Sequence, residues 1–319
     1  MSHLANVIRA ELFKSFRKRR TYVMAAFLWL LIPALLLLIG WLLQTRVGGT
    51  FLDDEATLSV KAVIQALASP IAITRNILVL FGNSAPLSLL IIVVALLATL
   101  LVGEEGTQNM WKTVLTAQPR RLTVLAGKFV TAMIVMGLLL AGCYLAGILF
   151  GALGMSFLPT SFGSGWLQLA GLYALQWLFT AAALLFAFLV VWLIRNLPLA
   201  IVTIFFLPGL LEAAYGFYRA VIGLNRLNRF NALLEALQLR NTFENLPRYF
   251  FTNNLSAPSR QPLAHLTELL GIAGDDLFQP GGPFGRLQPE LGHSALVMAA
   301  YAVIFAVVLA WSFRRRDVS

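Results

Sequence analysis

Six stretches of this chain are almost wholly apolar, and the segments between them are polar, charged or broken by proline and glycine. The apolar runs cover 22–44, 84–102, 129–155, 167–194, 197–214 and 294–313. A helix of about 20 apolar residues crosses the roughly 30 Å hydrocarbon core of a bilayer. Lipid offers the backbone no hydrogen-bonding partner, so each run is predicted to be a helix that satisfies its own amides. The expected fold class is all-α integral membrane, with six transmembrane helices in a single domain over 1–319. The fifth run is the shortest and carries Pro208-Gly209, which predicts a kink or unwinding toward its outer end.

The polar stretches are patterned too. Residues 1–21 contain "HLANVIRAELFKSFRKRR", in which Leu4, Val7, Ile8, Leu12 and Phe16 share one broad side. That pattern predicts an interfacial helix, with a plain stop-transfer charge cluster as the alternative. Its bases favour anionic headgroups by about 1 kcal/mol each near the surface. The loop 45–83 holds Gly48-Gly49, an acidic turn Asp53-Asp54-Glu55 and a helical stretch near 58–69 that ends at Pro70. The apolar 71–82 is expected to lie at the membrane interface. The turn "RNLP" at 195–198 forces runs four and five into a tight antiparallel hairpin. Gly147 and Gly151 make a G-x-x-x-G, which suits close helix packing, either inside the bundle or at a subunit interface.

The segment 215–293 is the longest connection. Helical patterns fall near 216–240 and 262–272, and a proline- and glycine-rich loop covers 279–289. Tyr215, Phe217, Tyr218, Tyr249, Phe250 and Phe251 predict a small helical extracytoplasmic cap that leans partly on the bilayer surface.

Composition excludes a water-soluble globule. Of 319 residues, 59% are hydrophobic and only 12% charged, with mean hydropathy +0.80, against about 25% charged in soluble domains. A net charge of +10 suggests nucleic acid until the bases are placed. Arg9, Lys14, Arg17, Lys18, Arg19 and Arg20 precede the first run. Lys112, Arg120, Arg121 and Lys128 lie between the second and third, with Arg195 and Arg314 to Arg316 at later turns. The other side holds Arg46, Lys61 and Arg75 in its first loop and none at 156–166. A loop as long as 215–293 translocates regardless of charge. Both termini are therefore expected in the cytoplasm, and no nucleic-acid partner is expected. The first run is too long for a signal h-region and no small-residue cleavage site follows it, so it should remain as an anchor.

Catalytic signatures are absent. No G-x-x-x-x-G-K-[ST] occurs, since Leu122 and Phe129 occupy the first glycine and hydroxyl positions around Gly127-Lys128. Cys143 is the single cysteine, and His3, His265 and His293 form no ligand motif. None of the six runs holds an ionisable residue in its interior, with Glu212 near the outer end of the fifth. Proton relays need such groups, so a proton-coupled pump is disfavoured. A sodium-coupled carrier built from backbone carbonyls stays open. A membrane-surface enzyme using His265, Asp275, Asp276 and His293 is a further alternative, against which these read as solvated loop residues.

The segment 103–128, "GEEGTQNMWKTVLTAQPRRLTVLAGK", is the most patterned of all. Thr107 can cap a helix over 107–118, on which Met110, Trp111, Val114 and Leu115 form one face. Gln108, Asn109, Lys112, Thr113 and Thr116 form the other, and Pro119 ends it. A short rod tied to two spans can carry a push from a docked protein into both. An interfacial helix with Trp111 among headgroups is the simpler alternative.

These motifs resemble the membrane subunits of type-2 ABC exporters, the ABC-2 permeases. Glu11 and Lys14 match the family's E-x-x-K in the amino-terminal helix. Glu104 or Glu105, Gly106-Thr107, Leu115, Pro119, Arg120 or Arg121 and Lys128 match its pattern after span two. The ending "WSFRRRDVS" is also similar. The long 215–293 segment departs from the family's compact helical hairpin, which leaves its role and the substrate open. The resemblance implies a transport subunit without catalysis of its own, in a bacterial plasma membrane. The 107–118 helix would couple to a separate ATP-binding subunit, with Met110 and Trp111 on its docking face. The chain would bind no cofactor; ATP and magnesium would belong to the partner ATPase, and a second permease subunit and membrane lipid complete the expected partners.

Overall fold

The computed structural model describes residues 2–46, 54–82, 88–107, 121–194, 196–223, 245–260, 262 and 290–315, and among these every regular element is a helix. Five helical stretches are long and apolar enough to cross a membrane: Arg19–Thr45, Leu122–Gly154, Trp166–Leu193, Leu197–Tyr218 and Leu291–Arg315. They match the first, third, fourth, fifth and sixth apolar runs. The protein is an all-α, multi-pass membrane protein.

An interfacial helix was expected over 1–21, and α1 (Ser2–Arg17) occupies most of it. Its buried side mixes polar with apolar groups, Val7 sitting against Gly127 and Leu12 packing on the core. Glu11 and Ser15 are buried, while Leu4 and Phe16 are exposed. A break at Lys18, whose backbone is extended, leads into α2 (Arg19–Ala26) and α3 (Ile32–Arg46). A π turn at Phe27–Leu31 joins α2 to α3. Pro33 explains it: proline lacks an N–H and crowds the carbonyl four residues back, and a wider turn relieves both.

The second run departs from expectation. Its helix α6 (Leu89–Ala98) and a π turn at Thr99–Gly103 are too short to count as a full span alone. The preceding α4 (Asp54–Ala68) and α5 (Pro70–Gly82) meet at a bend of 63°, and the pair counts as a sixth span only if taken as one. The stretch 71–82, expected at the interface, is instead packed into the bundle, with only Arg75 and Leu80 not buried. Each piece is too short to read as a crossing, but stacked in tandem they fill bundle depth.

The hub is α8 (Arg121–Gly154), which follows the four-residue α7 (Glu104–Thr107) in the described chain. Its 34 residues span about 50 Å, well beyond the hydrocarbon. Trp29 and Trp177 donate their indole N–H to its Leu139 and Met133 carbonyls at 2.9 and 2.8 Å. The G-x-x-x-G notch is filled from within the chain. A Cβ on Gly151 would lie 2.7 Å from the Pro70 nitrogen, and one on Gly147 would lie 2.8 Å from the Thr74 Cα. Both obstacles are backbone of α5, which cannot swing away. Gly151→Leu is therefore expected to lower thermal stability in detergent by about 1–3 kcal/mol. Gly171→Leu, where a Cβ meets nothing within 4 Å, should be neutral. Equal melting of the two variants would disprove the seat.

Helix α9 (Trp166–Leu193) runs antiparallel to α8 and is followed at once by α10 (Leu197–Gly223), the tight hairpin expected at 195–198. Asn196 starts α10, its carbonyl accepting from Ala200 N at 2.9 Å. Pro208 lies inside α10 without unwinding it, and the helix continues to Gly223.

Within the long connection, the stretch 245–260 is also placed differently. Every residue from Thr252 to Ser259 is buried, so this piece is a plug in the bundle rather than a cap lying on lipid. It contains α11 (Phe251–Leu255). Phe251 packs on Tyr301 and Phe305 of α12 (Leu291–Arg315). Ser259 donates to the Gly82 carbonyl at 2.9 Å, and Gln176 donates to Leu255 O at 3.3 Å. The Glu212 carboxylate accepts from the Thr252 hydroxyl and from Asn253 N. A short polar coil survives burial because Asn253 and Asn254 side chains donate to nearby carbonyls, at 2.8 Å in each case. Phe217 and Tyr249 do stay exposed, as the aromatic pattern suggested.

Candidate functional site

The end of the bundle where α8 begins holds a charge cluster assembled from three distant pieces of chain. Lys128, seven residues into α8, is fully buried. It was placed just outside the third span by its charge; the helix in fact starts earlier and carries it inside an apolar crossing. An ammonium there needs all three donors engaged. Lys128 Nζ lies 2.8 Å from the Leu101 carbonyl, 2.9 Å from Glu105 Oε1 and 3.1 Å from Glu11 Oε1.

The same two carboxylate oxygens meet a second cation. Lys14 Nζ lies 2.6 Å from Glu105 Oε1 and 3.2 Å from Glu11 Oε1. Glu11, Lys128, Glu105 and Lys14 therefore form a closed square of alternating charge. Beside it, Glu104 is paired with Lys18 and lies 2.9 Å from Arg20. Lys18 also donates to the Leu100 carbonyl at 3.1 Å.

Local structure explains why these groups meet. Glu11 and Lys14 are one helical turn apart on α1 and point to one side. The π turn at Thr99–Gly103 ends α6, and two of its carbonyls, Leu100 and Leu101, take the lysines. Cations at a helix carboxyl end also complement its dipole. Glu104 and Glu105 then open α7, from which Glu105 reaches Lys128 of α8.

Burial alone opposes charge on both Lys14 and Glu105. For Lys14, the hydrogen bond to Glu105 and the fields of Glu11 and Glu105 outweigh it, and its pKa stands above the ordinary lysine value. For Glu105, the nearby Lys128 charge and the Lys14 hydrogen bond outweigh it, and its pKa is lowered. Glu105's contribution is present above the ordinary glutamate pKa and fades as pH falls through the lowered value. Lys14's is present below the ordinary lysine pKa and fades as pH rises through the raised one. Across the neutral range Lys14 and Glu105 are therefore both charged.

Of the residues singled out in the sequence, Glu11, Lys14, Glu104, Glu105 and Lys128 are brought together. Gly106, Thr107 and Arg121 are described as helix backbone only. Met110, Trp111, Leu115, Pro119 and Arg120, with the rest of the 107–118 helix beyond Thr107, lie outside the described residues. Lys18, Arg20 and Ser15 were missed. Their partners lie far along the chain, 82 to 86 residues away for the two bases, so no local pattern announces them.

The last helix ends on this side too: Trp192 Nε1 donates to Ser312 Oγ at 3.1 Å, and its ring lies 4.5 Å from that of Phe313. Both ends of the described chain thus reach the same end of the bundle. Of the residues considered for surface chemistry, His265, Asp275 and Asp276 lie outside the described residues. His293 sits 3.2 Å from the Arg248 carbonyl and edge-on to Tyr249. Among the described residues no three His, Cys, Asp or Glu side chains come together to hold a metal.

No known family model matches this chain, and no curated protein sequence matches it.

Proposed function

We propose that the protein is the membrane subunit of an ATP-driven exporter of the ABC-2 type, working with a separate ATP-binding subunit and a second permease subunit. The observation that carries this reading is the closed square of Glu11, Lys14, Glu105 and Lys128. It ties the amino-terminal helix, the end of the second apolar run and the start of the third into one body. Those attachments flank the amphipathic segment 107–118, so force applied to that segment enters three helices together. Both ends of the chain and the basic residues around them then face the cytoplasm, where the ATPase is. The cargo path lies within the apolar bundle or along its lipid-facing side.

The test is purification of the tagged full chain from its native membrane. An ATP-hydrolysing polypeptide in stoichiometric amount is expected with it, and ATP hydrolysis is expected to vanish when that partner is stripped away. A chain that purifies alone and carries solutes across liposomes without ATP would establish a partner-free carrier instead.

A further inference from the structure

At the end of the bundle opposite the charge cluster, a cavity of about 280 Å³ opens between α5, the start of α9 and the plug. It is lined by Ile71, Arg75, Ser164, Gly165, Gln168 and Pro262, among others. Among the described residues of that lining, Arg75 is the one that carries a charge. Its guanidinium is partly withdrawn from water, and no carboxylate or carbonyl among the described residues pairs with it. All the other described bases of the opposite end's cluster, by contrast, are matched to acids. A guanidinium carries five donors in a planar fork and stays charged at any accessible pH. Left half-buried without an anion, it is a polar group whose hydration has been only partly replaced.

The remaining lining suits an anion as well. Ser164 and Gln168 are exposed polar side chains with donors. Gly165 adopts φ +93° and starts α9 without a side-chain cap, so the first amides of that helix are left for another acceptor. The depth is informative too. Trp166 begins a membrane-spanning helix, and Phe162 packs on the Trp166 ring at 4.9 Å. Aromatic residues at the start of a span mark headgroup level.

From these observations we infer that the Arg75 cavity is a binding site for a phosphate group, and that its resident ligand is the phosphodiester headgroup of an anionic membrane lipid. The fork of Arg75 takes two phosphate oxygens, Gln168 and Ser164 take others, and the apolar walls Ile71 and Leu172 meet the glycerol and upper acyl carbons. This reading is independent of the exporter assignment.

The test uses the full chain in detergent micelles, titrated with phosphatidylglycerol, phosphatidylcholine or inorganic phosphate, with bound lipid counted by native mass spectrometry and protection read as a melting shift. Phosphatidylglycerol is expected to bind and protect more than phosphatidylcholine. Arg75→Gln should weaken that binding about tenfold, the loss of a charge-assisted hydrogen-bonded pair. Arg75→Lys should fall between, because the charge remains but the fork is lost. Lys61→Gln, an exposed base on the same side, should change nothing. Should Arg75→Gln prove poorly folded, Gln168→Leu at an exposed position provides the second variant, with a weakening of a few fold. Arg75-dependent protection by inorganic phosphate alone would keep the phosphate site and overturn the lipid as its occupant. Binding of phosphatidylglycerol that is indifferent to Arg75 and Gln168, or shared equally by Lys61, would overturn the site altogether.

Discussion

Lys128→Met is expected to destabilise the protein more than any other single change in the described bundle. The side chain has no exposure, and its ammonium touches Glu11, Glu105 and the Leu101 carbonyl. Methionine fills most of the volume but supplies no charge. Two largely buried carboxylates would then share Lys14 alone, whose side chain is 44% exposed. Removing one member of a buried ion pair typically costs about 3–5 kcal/mol, because the partner stays buried and uncompensated. The loss should appear as a clear drop in the apparent melting midpoint of the detergent-solubilised protein. The diagnostic variant is the double replacement Lys128→Met with Glu105→Gln. It leaves Glu11 and Lys14 as a one-to-one pair and should restore at least half of the loss. If the single variant melts like the parent, or if the double variant is worse by the sum of both changes, the square does not hold these helices together.

How much of this was legible follows from what each feature depends on. Helices that must bury 20 or more apolar residues in lipid announce themselves by length, and five of the six runs are found where the hydropathy places them. Segments that enter the bundle in short pieces do not. Pro70–Gly82 is only 13 residues long, and Thr252–Ser259 is polar enough to pass for a loop. Their burial depends on surfaces offered by distant helices: the Gly147–Gly151 notch for the first, Glu212 and Gln176 for the second. The charge cluster is intermediate. Glu11, Lys14, Glu105 and Lys128 were found through a family pattern, but their mutual contact, 91 residues apart for Lys14 and Glu105, has no signature in spacing. Nor does hydropathy reveal a lysine inside a span, since a lysine is what ends an apolar run on such a scale. Glu11 shows the same difficulty from the other side. A glutamate among the apolar residues of an amino-terminal helix gives no sign of being buried, and it is buried because Lys14 and Lys128 meet it there.

The second large effect is functional rather than structural. On the proposed exporter reading, Leu115→Asp or Met110→Asp is expected to reduce ATP-driven export at least tenfold, to near background, while the protein inserts and melts normally. On a helix over 107–118 these residues share one face with Trp111 and Val114. A carboxylate buried there against a partner cleft would lose its water without gaining a counter-ion, a penalty of several kcal/mol. Asn109→Asp and Thr116→Asp lie on the opposite face and add the same charge, so they should leave export intact. That comparison separates docking from mere electrostatics near the membrane. The Glu11–Lys14–Glu105–Lys128 square makes a further demand. Weakening it should reduce export even when the ATPase remains bound, because the push would reach a helix no longer joined to its neighbours. ATP hydrolysis that persists in the Lys128→Met with Glu105→Gln variant while export fails would locate the fault in transmission. Export that continues undiminished in both the Leu115→Asp protein and that double variant would remove the mechanical role from this end of the bundle entirely.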